Sequence, residues 1–372
     1  MNKTSKIIIG IIVAIIVIGG IWYGVSKKPT TPTANEPIKI GAILPLSGSA
    51  AFSGEQMRDG MIMAVEEINN KGGINGRKIE LLLEDSKGSA QEGVTAFNNL
   101  NLRSPNIIIS SLSAVSLALA PLAKEKEIPL LATVVSVPNV AKNEWVFRYY
   151  PTAEQEIPPL INIANELKIN KIAVLYLNDD FGVSVYNTLK EKFGGTVIGE
   201  SFPIATGDFR TQITKIKSAN PEAILVVGFS SHIVNAIKQI KDFDFNVKIF
   251  GLSTMAFPDV RKALGEAGEG IYLTAPILYN NNVSDETKSF KETFKNRYNK
   301  GVDHYAATGY DTIKLIEQVI RSSGYSKEAI KDGLTRLQRF TGLLGEAEIN
   351  GRDISFPLYP ARIEGGEIIY LK

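Results

Sequence analysis

Hydroxyl side chains gather where apolar runs of this chain stop. Ser110, Ser111 and Ser113 follow the β-branched run 107–109, and Ser136 follows the run 128–135. Neutral hydroxyls in such places suit hydrogen bonding to a bound anion, with a carboxylate as the natural guest. Catalytic chemistry has little to work with. The two histidines, His232 and His304, stand apart, outside any HExxH, Gly-x-Ser-x-Gly or metal-ligand spacing, and read as surface or hinge residues. Asp179 and Asp180 form a carboxylate pair on paper, but they lie between a strand-like and a helix-like run, where an N-cap at a cleft rim is expected. Asp311, in GYDT, reads as a helix-start residue or a partner behind a site. GGINGRK lacks the Gly-Lys-Ser/Thr ending of a phosphate loop, so neither cofactor nor metal is expected.

The elements that position the serines follow from the periodicity. Residues 107–109 suit a parallel strand covered on both faces, residues 114–126 have the composition of a helix, and residues 128–135 form the next strand. The serines therefore sit at the carboxyl edge of a sheet and at a helix N-terminus, where free N–H groups and the macrodipole favour an anion. Ligands of open α/β sheets bind at that edge. The alternative for Ser111 or Ser113 is a plain helix cap.

With 372 residues the chain suits about two lobes. A hydrophobic content of 44% and a charged content of 22% describe an ordinary globular protein. The net charge is +2, yet Lys3, Lys6, Lys27 and Lys28 precede residue 38 against Glu36 alone, so the remainder is near neutral and makes no case for nucleic acid. With no cysteine, disulfides, thiolate metal sites and a lipidated cysteine are excluded. Residues 7–25 are uncharged and apolar over about the length that spans a bilayer, with Trp22 and Tyr23 at the end of the run. A cleaved signal peptide competes with an uncleaved anchor; the run is long for the former and no A-x-A-like site follows it. We expect residues 1–28 to be an anchor or signal segment and residues 29–37, rich in Thr and Pro, a tether holding the folded part outside the cytoplasm.

From residue 38 the text alternates strand and helix. Ser53 and Gln56 have the form of a capping box, and Met57, Met61, Ala64, Val65 and Ile68 recur at helical spacing as a core face. Strand-like runs at 171–177, 196–201, 223–227, 247–250 and 271–274 build a second α/β lobe, and Asn350-Gly351 and Gly365-Gly366 mark two terminal hairpins.

The ordered series IGAILPLSG, AVEEINNKGGINGRKIELLLED, the 111–113 loop, VFRYYPT, KIAVLYLNDDFGVS, GDFRTQITKIKSANPEAILVVG and YAATGYD resembles the leucine/isoleucine/valine-binding type of ABC-importer solute-binding protein across residues 38–372. The resemblance implies the type I periplasmic binding protein fold: two doubly wound α/β lobes joined by three crossings, with lobe 1 at 38–148 and 277–340 and lobe 2 at 149–276 and 341–372. The crossings would fall near 146–149, 273–275 and 340–344, and both terminal hairpins would complete lobe 2. It also implies hinge closure on a small polar ligand, amino acid-like or another carboxylate, and presentation to an ABC permease. A sensory domain working with a separate signalling partner is the alternative.

Carried over residue by residue, Ser113 matches the serine that contacts the ligand carboxylate, Ser136 the hydroxyl residue after the next strand, and Val134 a main-chain contact. Phe181 and Tyr305 match cleft aromatics. Two positions depart from the pattern. Ser230 falls where a tyrosine is usual, and Ser253 where branched-chain amino acid binders place the acid that holds the ligand's ammonium. An ammonium buried without that acid would cost about 3–5 kcal/mol, so a carboxylate without an amine stays open as the ligand unless Asp179, Asp180 or Asp259 reaches the cleft.

Overall fold

The computed structural model describes residues 36–137 and 139–371. The expected anchor and most of the tether lie outside them. Among the described residues no helix is long and apolar enough to cross a membrane.

Two seven-stranded sheets organise the described residues. The first is founded on β1 (Ile38–Leu44), β2 (Ile79–Asp85), β3 (Ile107–Ser111), β4 (Leu130–Thr133) and β5 (Val146–Tyr149). They run parallel in the order β5-β4-β3-β1-β2. All of β3, β4 and β5 is buried, as strands covered on both faces require. The second sheet repeats the plan with β6 (Lys171–Leu177), β7 (Thr196–Phe202), β8 (Ala223–Val227), β9 (Lys248–Gly251) and β10 (Tyr272–Ala275), in the order β10-β9-β8-β6-β7. In both sheets the order reverses beside the founding strand, so each presents a crevice at its carboxyl edge.

The helices that matter for the cleft are α1 (Ala51–Asn70), α2 (Ala90–Leu102), α3 (Ser113–Glu125), α4 (Ala153–Glu166), α5 (Asp180–Lys192), α6 (Arg210–Ser218), α7 (Ser230–Asp242), α8 (Pro258–Leu264), α9 (Asp285–Tyr298) and α10 (His304–Ser323). Helix α1 carries the expected core face, with Met57, Met61, Ala64 and Ile68 buried. It packs on α10 at glycine-to-backbone distance: a Cβ at Gly60 would strike the Ala306 carbonyl, and one at Gly309 the Met57 carbonyl. The glycine of YAATGYD is thus a close-approach residue.

The C-terminal segment corrects one expectation. The hairpin β13 (Glu348–Asn350) and β14 (Asp353–Ser355) joins the first sheet, with Asp353 and Ile354 paired to Arg148 and Tyr149 of β5. Only β15 (Tyr359–Glu364) and β16 (Glu367–Tyr370) extend the second sheet, antiparallel to β10. The third crossing therefore falls between Ser355 and Tyr359, not at 340–344. Strands β11 (Thr341–Gly342) and β12 (Gly345–Glu346) instead form a short hairpin tied to α10, where buried Asp311 accepts the N–H groups of Leu343 (2.8 Å) and Leu344 (3.2 Å) and the Tyr149 hydroxyl (2.9 Å). Asp311 is a mid-helix latch, neither a helix-start residue nor a site residue. The physical reason for the changed hairpin is an ion pair: Arg148 is almost fully buried and meets Asp353 at 2.7 Å.

Candidate functional site

Strand register builds one wall of the site. Ser111 pairs with Thr133 across β3 and β4, so the residues that follow both strands emerge side by side at the carboxyl edge. The chain then bends hard. Leu112 takes φ 76° and ψ 144°, and Val134 takes φ 53°. Side chains other than glycine avoid that half of backbone space at a cost of about 1–3 kcal/mol each, and such strain concentrates at ligand clamps. Leu112 stands at the N-cap position of α3 and offers no side-chain cap. Ser110 Oγ is spent on Ser116 Oγ (2.8 Å), and Ser111 Oγ points to the Met57 sulfur. Ser113 Oγ is buried and has no hydrogen-bond partner among the described residues. The capping alternative for these serines is therefore overturned: the first turn of α3 is left open, next to an unused hydroxyl.

Ser113, Val134 and Ser136 line a cavity of about 70 Å³, well above what a single water needs. Tyr305, from α10, lines it too. Ser136 also bridges the sheets, its carbonyl accepting the Ala153 N–H at the start of α4 (3.2 Å). The Ser136 loop is held from behind by Arg148, which donates to the Val137 carbonyl (2.6 Å).

The opposite wall comes from the carboxyl edge of the second sheet. Phe181 follows β6, Phe229 follows β8 and Thr254 follows β9, and all three line the cavity with Ile204 and Tyr150. His232 ties this wall together. Its Nδ1 accepts the Phe229 N–H (3.3 Å), which leaves Nε2–H to donate to the Ile204 carbonyl (2.9 Å), and burial depresses its pKa. His304 is buried at the start of α10 with Nε2 2.9 Å from the Tyr150 hydroxyl, and burial lowers its pKa to about 3, so both rings are neutral.

Three carboxylates reach this cavity: Glu156, Asp179 and Asp180. Glu156 lies in the first turn of α4 and is fully sequestered. It accepts from Ser253 N–H (3.0 Å), Ser253 Oγ (2.7 Å) and Thr274 Oγ1 (2.5 Å). Burial pushes its pKa up, and those three donors pull against that shift. No cation faces it among the described residues. Asp179 caps α5 through Gly182 N–H (2.8 Å), and its pKa is raised by burial and by neighbouring Asp180.

Two expected site residues take other places. Ser253 is buried away from the cavity wall and acts through Glu156, which it holds by two bonds. Ser230 lines a neighbouring, more open recess of about 400 Å³, together with Asp259; the two spaces share Ala50, Phe229, Thr254 and Tyr305 as walls. Phe229, one residue earlier, holds the chamber position. Glu156 was the residue missed, although a signal existed: it falls on the apolar stripe of α4 with Ala153, Leu160, Ile163 and Ala164. A lone acid on such a stripe is unusual.

A family model for periplasmic binding proteins matches residues 37–367. The Leu/Ile/Val-binding protein BraC3 of Rhizobium johnstonii is 25% identical over 327 residues, which is 83% of this chain and 87% of that protein. Among solved structures, the chain is similar to the branched-chain amino acid transporter substrate-binding protein LivJ of Streptococcus pneumoniae in complex with isoleucine (TM-score 0.82, 23% identity, 90% of this chain and 100% of that one). It is similar also to a solute-binding protein of an ABC transporter from Rhodopseudomonas palustris in complex with 3,4-dihydroxybenzoic acid (TM-score 0.81, 22% identity, 91% of this chain and 96% of that one).

Proposed function

The chain belongs to the periplasmic binding protein family, and from that premise we propose that it is the extracytoplasmic solute-binding component of an ABC importer whose cleft takes a small zwitterion, a carboxylate and an ammonium borne on one carbon as in an α-amino acid. The observation that carries the reading is the pairing of unlike walls around one cavity. One wall offers neutral donors, the open turn of α3 and the unpartnered Ser113 Oγ. The other offers Glu156, a sequestered carboxylate without a counter-ion. Donors at a helix N-terminus favour a carboxylate, and a buried acid is stabilised when a cation arrives. Glu156 thus supplies the charge that Ser253 lacks, which restores an amine to the expected ligand. The protein holds its ligand by closing the two lobes on it and releases it unchanged to a permease.

Calorimetric titration with L-norleucine and with hexanoate, the same chain without the ammonium, tests this. Norleucine is expected to bind well above hexanoate; hexanoate or benzoate binding as tightly as norleucine overturns it. We also propose that residues 7–25 hold the protein at the membrane. Protein recovered from membranes should begin near Met1 and resist high salt, and a soluble form beginning near Ser26 would refute that.

A further inference from the structure

We infer that the ligand carries a second cation, on a chain leading away from the amino-acid head group, and that Asp179 and Asp180 read it. The inference rests on the zwitterion reading above and goes further by naming the substrate class: a basic amino acid or a close relative of one.

The argument is a charge balance around the cavity. Among the described residues its walls hold three carboxylates and no lysine, arginine or histidine. One ligand ammonium answers Glu156 and leaves two acids over. These two lie elsewhere: Glu156 is deep, at the start of α4, whereas Asp179 is half-buried and Asp180 exposed, at the start of α5. Neither forms an ion pair among the described residues, although twenty such pairs occur elsewhere in them. Helix capping explains one acid, since Asp179 Oδ1 takes the Gly182 N–H. It does not require a second beside it on the same rim, where burial raises the pKa of Asp179 and the like charge of Asp180 adds to that shift. The second observation is independent of the acids. Ser113 Oγ, buried and unpartnered, faces the same cavity and marks where the carboxylate end sits. The same lining carries apolar side chains, Phe181, Ile204 and Phe229. Methylene groups pack against such surfaces while a charged tip reaches the rim, and the aromatic faces add attraction for a cation.

L-Lysine and L-norleucine differ by the terminal ammonium, so their affinity ratio on the full chain reads that group alone. Lysine is expected to bind about ten-fold or more tighter than norleucine. In the Asp179→Asn, Asp180→Asn double variant, where Asn preserves the cap, the ratio should collapse to about one while the melting temperature stays close to wild type. If the double variant fails to fold, Asp180→Asn alone, at an exposed position, should still reduce the ratio several-fold. Norleucine binding as well as or better than lysine overturns this inference and leaves the zwitterion reading standing. Hexanoate binding as well as both overturns the zwitterion reading, and this inference with it. A lysine preference that survives both substitutions also overturns the assignment to Asp179 and Asp180.

Discussion

Glu156→Gln removes a charge and keeps a shape, which makes it the sharpest perturbation of the cleft. The carboxylate receives three hydrogen bonds, from the Ser253 N–H, the Ser253 hydroxyl and the Thr274 hydroxyl. Glutamine retains one acceptor oxygen for the Ser253 N–H and the Thr274 hydroxyl, which share Oε2, and the Ser253 hydroxyl, which meets Oε1, rotates to accept from its amide. The empty protein should therefore be as stable as wild type or more so at neutral pH, because the variant no longer buries an uncompensated charge. Binding should respond in the opposite direction. An ammonium left in this site without its acid loses about 3–5 kcal/mol, or roughly 150- to 5,000-fold in Kd for norleucine by titration calorimetry, while hexanoate should lose little. Proton linkage gives a second readout. Burial raises the Glu156 pKa above its ordinary value, and an arriving ammonium favours the ionised form, so binding releases a proton and strengthens as pH rises through that raised pKa. The glutamine variant should show neither effect. A Glu156→Gln protein that binds norleucine within a few-fold of wild type would refute the assignment of the ammonium to Glu156.

Removing the hydroxyl in Ser113→Ala or Ser136→Ala should cost about 1–3 kcal/mol of ligand affinity, the range for hydrogen bonds to charged groups; unchanged titrations in both variants would remove the carboxylate shelf. Asp353→Asn leaves Arg148 buried without its partner, and because Asp353 is itself partly exposed the expected loss is about 2–3 kcal/mol, read by denaturant unfolding. Burial pushes the Asp303 carboxyl up to about 7 from its ordinary 3.8. The folded state then binds that proton more tightly than the unfolded one, so this contribution is present at low pH and is lost as pH rises from about 4 to 7. Asp303→Asn, which keeps the α10 cap, should flatten that part of the melting profile. Ligand should also shrink the radius of gyration in small-angle scattering and raise the melting temperature by mass action; stabilisation without a change of shape argues against hinge closure.

Much of the donor wall was legible because strand ends and a helix start are written in period and composition. The runs at 107–109 and 128–135 place Ser113, Val134 and Ser136 at one edge with no further information than which residues are apolar. Register completes the picture, and register is not local. The strain at Leu112 and Val134 left no trace in residue type, since leucine and valine are poor predictors of positive φ. The acidic wall was misread for a related reason. Position along the chain pointed to Ser253 for an acid, but charge in a cleft is a property of the assembled space. Glu156 reaches it from the start of a different helix, and Ser253 and Thr274 converge on its carboxylate from 97 and 118 residues away. The terminal hairpin went astray because its alternating pattern suits either sheet. Arg148, hidden in a β-branched and aromatic neighbourhood, decides for the first by requiring Asp353 as a counter-charge.

The cleft concentrates features that an isolated folded chain would avoid. Among the described residues, two non-glycine residues sit at positive φ, one buried hydroxyl lacks a partner and one buried carboxylate lacks a cation, all around a single cavity. Each raises the free energy of the empty protein. A ligand that donates a cation to Glu156 and accepts from Ser113 and the open turn of α3 removes two of these costs at once, and it does so only when both walls are close enough to touch it. Its affinity for the closed form therefore exceeds that for the open form by the worth of those contacts, and that difference is the free energy by which a ligand shifts a two-state hinge. A ligand that meets one wall alone, such as hexanoate on the donor wall, offers far less difference and should leave the lobes largely open even where it binds. Scattering with hexanoate at saturation should then match the empty protein, whereas norleucine should give the compact form; full compaction by hexanoate would mean that the donor wall alone drives closure.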